Sequence, residues 1–333
     1  MTHCSLCYQE AELVYESLIG YQEGSTYNIH YCSHCDASYA SPLQIDDNLY
    51  NVIYSKAEQL PGYSRYHRFA EDVLKVRNPF LFLAETEDTY WAIYDYLKNQ
   101  STDTDAKILE VGCGLGYLTY ALVKEGFNAE GVDISHKAVD EAIKRYGAYY
   151  SQADIYQLAQ NPLKQYDIII LTEVIEHVPD PVGFINSLTK LLLPKGRILV
   201  TTPNKHSVVS HEKYWDTELP PVHLWWLSEK SFVCISDKLS LNVRFADFTK
   251  YQVKIKQERV YGDPWRKQTL SSEGDILFEV PHNGLRYVIR RNLIDYGLLS
   301  QWQDLKSKFQ KSQYRENLSV SDRLCAILSK KDE

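Results

Sequence analysis

Residues 107–135, KILEVGCGLGYLTYALVKEGFNAEGVDIS, constrain this chain more than any other stretch, because they spell a strand, a glycine turn, a helix and a second strand in close succession. Ile108, Leu109 and Val111 form the short apolar run of a strand buried on both faces. Gly112, Gly114 and Gly116 follow at alternate positions. Glycine takes positive φ at little cost and lets a ligand lie against bare backbone, so this turn reads as one shaped around something bound. The helix expected over 117–125 aims its unpaired N–H groups at the turn. The next strand, over 128–132, ends at Asp133, whose carboxylate can accept hydrogen bonds from both hydroxyls of a ribose. A purely structural bend is the competing reading of the glycines.

A dinucleotide-binding unit wants G-x-G-x-x-G, in which the third glycine admits a pyrophosphate. Here the sixth position is Tyr117 and the glycines run G-x-G-x-G. Glu110 stands just before the turn, where a carboxylate repels a pyrophosphate but can help hold a cationic amino-acid group, directly or through water. This pattern resembles motif I of the class I S-adenosylmethionine (SAM) dependent methyltransferases.

The chain of 333 residues is long enough to bury a substantial core in one large domain, or in a main domain with a small one beside it. No stretch supplies the roughly twenty apolar residues of a membrane span, and the N-terminus carries no signal-peptide pattern, so a cytoplasmic protein is expected. A formal charge of −8 and a pI near 5.7 argue against a broad nucleic-acid footprint.

Seven cysteines include Cys4-x-x-Cys7 and Cys32-x-x-Cys35. Four thiolates in two such knuckles make a tetrahedral structural zinc site, and residues 1–40 have too little apolar mass to fold unaided. His3, His30 and His34 are close enough in sequence to replace one ligand. A redox role is disfavoured, because neither pair follows a strand and opens a helix. A site closed by four ligands leaves no position for substrate, so support and not chemistry is expected of it.

Residues 41–104 read as an aromatic, helical lid or linker, broken at Pro61-Gly62 and near Pro79, with a polar link over 101–105. Tyr63, Tyr66, His67 and Arg68 are lid candidates, or else the packing face of a helix laid on the sheet. Beyond Asp133, Ser135 can cap a helix whose Ala138, Val139, Ala142 and Ile143 share a face. A third strand is expected over 148–151, with Asp154 in the loop at its end, where the plain alternative is a helix N-cap.

The segment YDIIILTEVIEHVPDP, residues 166–181, holds a fully apolar fourth strand at 168–171. Ligands in open α/β sheets lie beyond the carboxyl ends of such strands, so Thr172, Glu173, Glu176 and His177 fall at the working edge. Pro181 opens a helix to about Leu192, Pro194-Lys195-Gly196 turns the chain, and a fifth strand follows over 197–202. A helix is expected from Ser228 and a sixth strand over 242–249. The run over 323–329 fits a seventh strand closing the sheet edge as an antiparallel partner of the sixth. Residues 250–318, with a turn at Tyr261–Arg266, then form an insertion within a main domain of 105–333. The alternation of strand and helix makes the fold α/β, a doubly wound seven-stranded Rossmann-like sheet with a small zinc-ribbon-like element ahead of it.

In order along the chain, ILEVGCGLG, GVDIS, Asp154, YDIIILTEVIEHVPDP and LPKGRILVTTPN resemble the successive motifs of a class I SAM-dependent methyltransferase, of the subgroup containing the ubiquinone-biosynthesis O-methyltransferases. The resemblance spans about residues 105–249. The two knuckles ahead of such a domain also resemble zinc-bearing methyltransferases of sugar and natural-product pathways. The resemblance implies SAM as cofactor, held by Glu110, Gly112, Cys113, Gly114, Gly116, Asp133, Ile134, Asp154 and Glu173, with Asp154 placed for the adenine amino group. It implies transfer to a small-molecule acceptor, at a hydroxyl or a sugar carbon, with His177 and Glu173 as the catalytic side chains. Methyl transfer is an in-line displacement with a neutral leaving thioether, so alignment and exclusion of water carry most of it, and a base matters when the acceptor is a hydroxyl.

Glu173, Glu176 and His177 are spaced i, i+3 and i+4, which one helical turn gathers on one face, and paired carboxylates repel unless a cation or proton intervenes. In small-RNA 2′-O-methyltransferases, and in ubiquinone-pathway relatives, the matching E-x-x-E-H residues bind magnesium. His223 would be the second histidine of such a site. Three competing functions are a metal-assisted RNA 2′-O-methyltransferase, a non-catalytic SAM-binding regulatory protein and, more distantly, an NAD-dependent oxidoreductase.

Overall fold

The computed structural model describes residues 2–46, 49, 52–53, 63–99, 103–207, 219–251, 268–271, 273–278, 321 and 323–331. The first element is antiparallel: β1 (Thr2–His3), β2 (Glu10–Ile19), β3 (Thr26–Cys32) and β4 (Ala37–Ser41). Three helices follow, α1 (Ser64–Asp72), α2 (Pro79–Thr86) and α3 (Asp88–Asn99). Pro79, expected to break a helix, instead starts one. It stands at the first helical position, where its missing N–H is no loss, and Asn78 caps the turn by accepting from Leu81 N at 3.0 Å.

The alternating unit then runs β5 (Lys107–Val111), α4 (Tyr117–Lys124), β6 (Asn128–Asp133), α5 (His136–Tyr146), β7 (Tyr150–Gln152), α6 (Ile155–Leu158) and β8 (Tyr166–Thr172). It continues through α7 (Pro181–Leu191) and β9 (Leu192–Pro203). Next come β10 (Trp225–Trp226), α8 (Glu229–Lys238), β11 (Leu241–Phe245), β12 (Gln268–Leu270), β13 (Ile276–Phe278) and β14 (Arg323–Lys330). The expected turn at Pro194-Lys195-Gly196 is absorbed into β9. Tyr166 pairs with Leu192 and Ile168 already with Arg197, so the extra residues are accommodated as a bulge.

The main sheet has seven strands in the order β11-β14-β9-β8-β5-β6-β7, parallel from β9 through β7. The seventh strand does not close the edge. It lies between β9 and β11, antiparallel to both, and its apolar run from Leu324 to Leu328 is buried throughout as an interior strand requires. β11 takes the edge, and it is shorter than the expected sixth strand because a 3₁₀ turn at Phe248–Lys250 ends it.

Both sheet faces are covered, which explains the unbroken apolar strands. Ile108, Ile168, Ile170, Leu199 and Cys325 pack towards Phe80, Leu83, Ile93, Leu118 and Leu122 of α2, α3 and α4. Leu109, Ile169, Leu171, Ile198 and Val200 pack towards Ile185 and Leu188 of α7 and Phe232 of α8. The N-terminal element joins that second core through β10, whose Trp225 and Trp226 pair with Tyr39 and Ser38 of β4. Its sheet, β1-β2-β3-β4-β10, is therefore completed by residues far outside 1–40. Within the expected insertion, β12 and β13 form a hairpin that contacts the N-terminal element at Tyr21 and Glu23. The turn expected at Tyr261–Arg266 lies outside the described residues, as does the expected break at Pro61-Gly62.

The glycines of the turn after β5 divide by role. Gly112, Gly114 and Gly116 have φ of +73°, +49° and +79°. A methyl on Gly116 would meet Ala142 Cβ and Tyr150 Cε1 at 2.7 Å, and one on Gly112 would meet Val174 Cγ2 at 2.5 Å. At Gly114 nothing lies within 4 Å. Two of these glycines thus serve packing, and only Gly114 presents bare backbone to open space. Gly116→Ala combines a left-handed backbone with overpacking and is expected to cost about 2–5 kcal/mol in urea unfolding. The control Gly126→Ala, with φ +99° and nothing within 4 Å, carries only the backbone cost of about 1–2 kcal/mol. Equal losses at the two positions would contradict the packing assignment.

Candidate functional site

The carboxyl ends of β5, β6, β8 and β9 meet at one edge. Gly112 N and Cys113 N donate to Val132 O at 2.8 and 3.0 Å, and Gly116 N to Cys113 O at 2.8 Å, which fixes the turn against β6. Asp133 completes the stitch. Its carboxylate accepts from Gly114 N and Ser135 N, both at 2.8 Å, and Ser135 in turn caps α5 by accepting from Ala138 N. Burial raises the Asp133 pKa, and the backbone donors oppose that rise. Cys113 is buried under the turn, while Ile134 is 71% exposed, a large apolar side chain at the rim of the edge.

Glu110 lies beneath the turn and accepts from Thr119 in the first turns of α4. Its burial pushes the pKa up to about 8, with the Thr119 hydrogen bonds opposing and the Asp133 charge adding. Asp154 is the N-cap of α6, accepting from Tyr156 N at 2.7 Å.

At the end of β8 the structure separates residues that the spacing had gathered. Glu173 has φ +56°, a left-handed conformation that stops a helix from running through 173–177. Only Ile175–His177 form a 3₁₀ turn. The Glu173 carboxylate is held by Arg323 Nε at 3.0 Å and Thr89 Oγ1 at 3.3 Å. Its pKa is raised by burial, against the pull of Arg323 and Arg65. Glu173 is accordingly not part of the candidate metal group, contrary to the expectation from i, i+3, i+4 spacing.

Glu176, His177 and His223 do come together, with ligand atoms within 4.8 Å of one another. Glu176 accepts from Thr202 Oγ1 at 3.0 Å and faces His177 Nε2 at 3.8 Å. His177 Nδ1 lies against Val222 O at 2.5 Å, and the ring also meets the Glu173 backbone, two contacts that favour a proton on the ring. The two rings meet edge to face at 4.7 Å. Burial lowers the pKa of both histidines, and His223 is lowered further by His177 and Arg323. Two neutral imidazoles and a carboxylate suit a divalent transition ion better than magnesium, which prefers oxygen. The nearby Arg323 charge opposes any cation there.

Four residues at this edge escaped the sequence reading. Arg323 and Thr89 hold Glu173, and Arg65 lies 3.4 Å from Glu87 and donates to Tyr66 OH at 2.8 Å. The signal for Arg323 was available. An antiparallel strand begins at the edge where its parallel neighbours end, so the first residue of β14 stands opposite Pro203 at the end of β9. Of the lid candidates, Tyr63 and Tyr66 stack edge to face at 6.2 Å, and His67 and Arg68 are half-buried in α1.

The second cluster is the four cysteines. Their sulfurs lie within 4.8 Å of one another, with Cys4–Cys35 at 3.7 Å and Cys7–Cys32 at 3.4 Å. Sulfurs bonded to zinc at about 2.3 Å in a tetrahedron stand about 3.8 Å apart, so the cage fits that ion. The Cys4 pKa is lowered to about 5, led by the Cys35 hydrogen bond, whereas Cys35 is raised by Cys4 and burial, and Cys7 is pushed up to about 11 by burial. Adjacent buried thiols cannot all ionise without a cation among them. Among the described residues no histidine joins the group, and His30 instead stacks on Tyr39 at 5.2 Å.

Residues 84–248 match a family model described as a methyltransferase domain. The ubiquinone biosynthesis O-methyltransferase of Actinobacillus pleuropneumoniae is 34% identical over 121 residues, 33% of this chain and 52% of that protein. The same enzyme of Coxiella burnetii is 34% identical over 116 residues, 33% of this chain and 49% of that protein. The chain spans about half the length of these curated relatives. Among solved structures, the plantazolicin methyltransferase BamL is 16% identical, covering 86% of this chain and 97% of that one at a TM-score of 0.43. Magnesium protoporphyrin IX methyltransferase from Synechocystis PCC 6803 with bound SAM is 19% identical, covering 61% and 90% at 0.42. No helix among the described residues is long and apolar enough to cross a membrane.

Glu110 supplies a pH test. Its pKa rises from an ordinary 4.5 to about 8 on folding, so the folded chain keeps a proton that the unfolded chain releases. Stability from this group is therefore full below 4.5 and is lost as pH rises towards 8. Glu110→Gln, neutral throughout, should gain stability over the wild type progressively between those pH values in thermal unfolding. A pH-independent difference would show that Glu110 is ionised in the fold.

Proposed function

We propose that this chain transfers a methyl group from SAM to a small-molecule acceptor. The reading rests on one observation above all: the bare backbone of Gly114 opens on space directly beside the Asp133 carboxylate. A dinucleotide-binding turn would want a third glycine, to admit a pyrophosphate, where Tyr117 stands, and Glu110 lies beneath this turn. The methyltransferase-domain match over 84–248 supports the same reading.

In this proposal Asp133 accepts from the ribose hydroxyls, Ile134 flanks the adenine, and Asp154 receives the adenine amino group with the oxygen not engaged by its cap. Bound SAM supplies an activated methyl on a sulfonium that leaves as a neutral thioether. The chain has to align the acceptor with that methyl and keep water away. His177 is proposed as the base for a hydroxyl acceptor: Val222 O favours a proton on Nδ1, and burial lowers the pKa of the ring, which favours its neutral form. Glu173 is proposed to act through position, its strained backbone being fixed by Arg323 and Thr89. The names of the curated relatives point to an O-methyl acceptor such as a quinone precursor. Four sulfurs at tetrahedral spacing support a structural zinc, and the three-residue group at Glu176 favours, as a second reading, a divalent ion that would bind the acceptor oxygen.

Labelled SAM incubated with a metabolite extract should yield a labelled small molecule. RNA-dependent incorporation would favour a nucleic-acid acceptor, and SAM binding without transfer a regulatory role. Asp133→Ala should weaken SAM binding by about 1.5–3 kcal/mol in calorimetry. Unchanged affinity would place the cofactor elsewhere. His177→Ala should slow transfer by about 10²-fold or more with cofactor affinity kept. Elemental analysis should find about one zinc per chain.

A further inference from the structure

The cysteine element is fastened at two places to the chain around the histidine pair, the first being the stretch after β9 and the start of α8. Asp36 follows Cys35 directly. Its carbonyl accepts from Lys205 Nζ and Ser228 Oγ, both at 3.1 Å, and its carboxylate meets Lys205 Nζ at 3.0 Å and His206 Nε2 at 2.5 Å. Cys35 O accepts from Ser231 Oγ at 2.9 Å, Ser33 O from Lys230 Nζ at 3.1 Å, and Leu6 O from Lys238 Nζ at 2.7 Å. The N–H groups of Leu6 and Cys7 face the Cys4 sulfur, which leaves knuckle carbonyls to point outward at these donors. Four thiolates around one zinc carry a net charge of about −2, which Lys205, Lys230 and Lys238 are placed to offset. Lys205 is buried, lies 4.1 Å from the Tyr31 ring centre, and follows β9 by two residues.

The second fastening is β4, which leaves the knuckle at Ala37. Ala40 N donates to Leu224 O at 2.9 Å, and Leu224 N donates to Glu176 O at 2.9 Å. Trp225 Nε1 donates to Val178 O at 3.1 Å, and Val222 O holds His177. His223 thus sits between two residues bonded to the Glu176–His177 turn, one of which is also bonded to the cysteine element.

We infer that the cysteine element positions the His177–His223 pair, and that Lys205 is the positioning residue through which the knuckle is clamped to the end of β9. The inference rests on the zinc reading above for its metal-removal arm and on the SAM reading for its S-adenosylhomocysteine control, which is measured on the wild type first. The test uses the full chain, with zinc content measured first, and the histidine ring signals followed by NMR after assignment with His177→Gln and His223→Gln. Lys205→Met is expected to retain zinc and to keep S-adenosylhomocysteine affinity within about twofold, while shifting both ring signals; Lys205→Arg should restore them. Removing zinc from the wild type with a chelator should shift the same two signals. Unmoved signals in Lys205→Met would overturn the inference, and so would loss of S-adenosylhomocysteine binding along with the shift, since that marks a general loosening. Absence of zinc from the purified protein would sink the metal reading alone, because the Lys205→Met comparison stands without it.

Discussion

The carboxylate of Asp133 is the interaction on which the working edge depends. One oxygen takes the N–H of Gly114 and the other the N–H of Ser135, so a single side chain ties the glycine turn of one strand to the helix cap of the next. Two peptide groups that would otherwise need water are satisfied in a buried place, and the turn is held open at Gly114 as a result. Gly112 and Gly116 then close against Val174, Ala142 and Tyr150, which leaves the backbone no alternative path. The same acid thereby shapes the turn and sets a carboxylate beside its open backbone.

The sheet was legible because burial on both faces writes itself as continuous apolar runs, and IILT-like or ILEV-like strands bounded by glycine and proline have few other readings. Ser135 was legible as a cap for a local reason, since its side chain bonds an N–H three residues on, and the helix starts at Pro181 and Ser228 were legible from equally short-range signals. What sequence periodicity missed was non-local. Glu173 sits at i to Glu176 and His177, but Arg323, from the far end of the chain, draws its carboxylate away and a left-handed φ breaks the turn. The seventh strand was recognised as a strand and misplaced at the edge, since an apolar run tells that a strand is buried and not between which neighbours. Trp225-Trp226 is too short to show a period at all, and its membership of the N-terminal sheet follows only from pairing with β4.

The N-terminal element and the main sheet therefore share one core and one set of polar fasteners. Trp225 and Trp226 are at most 2% exposed, and the knuckle carbonyls are capped by side chains from β9 onward. An element too small to bury its own apolar mass is stabilised by leaning on a larger one, and the larger one gains a wall. That exchange explains why the loop bearing His223 can be ordered beside a turn as short as Ile175–His177.

Around the glycine turn the two acids favour a cationic ligand over a neutral one. Glu110 and Asp133 are both raised by burial, and what opposes the rise is Thr119 and backbone N–H groups, not a basic side chain. Each acid would be ionised more readily with a positive ligand beside it, so binding such a ligand and releasing a proton are linked.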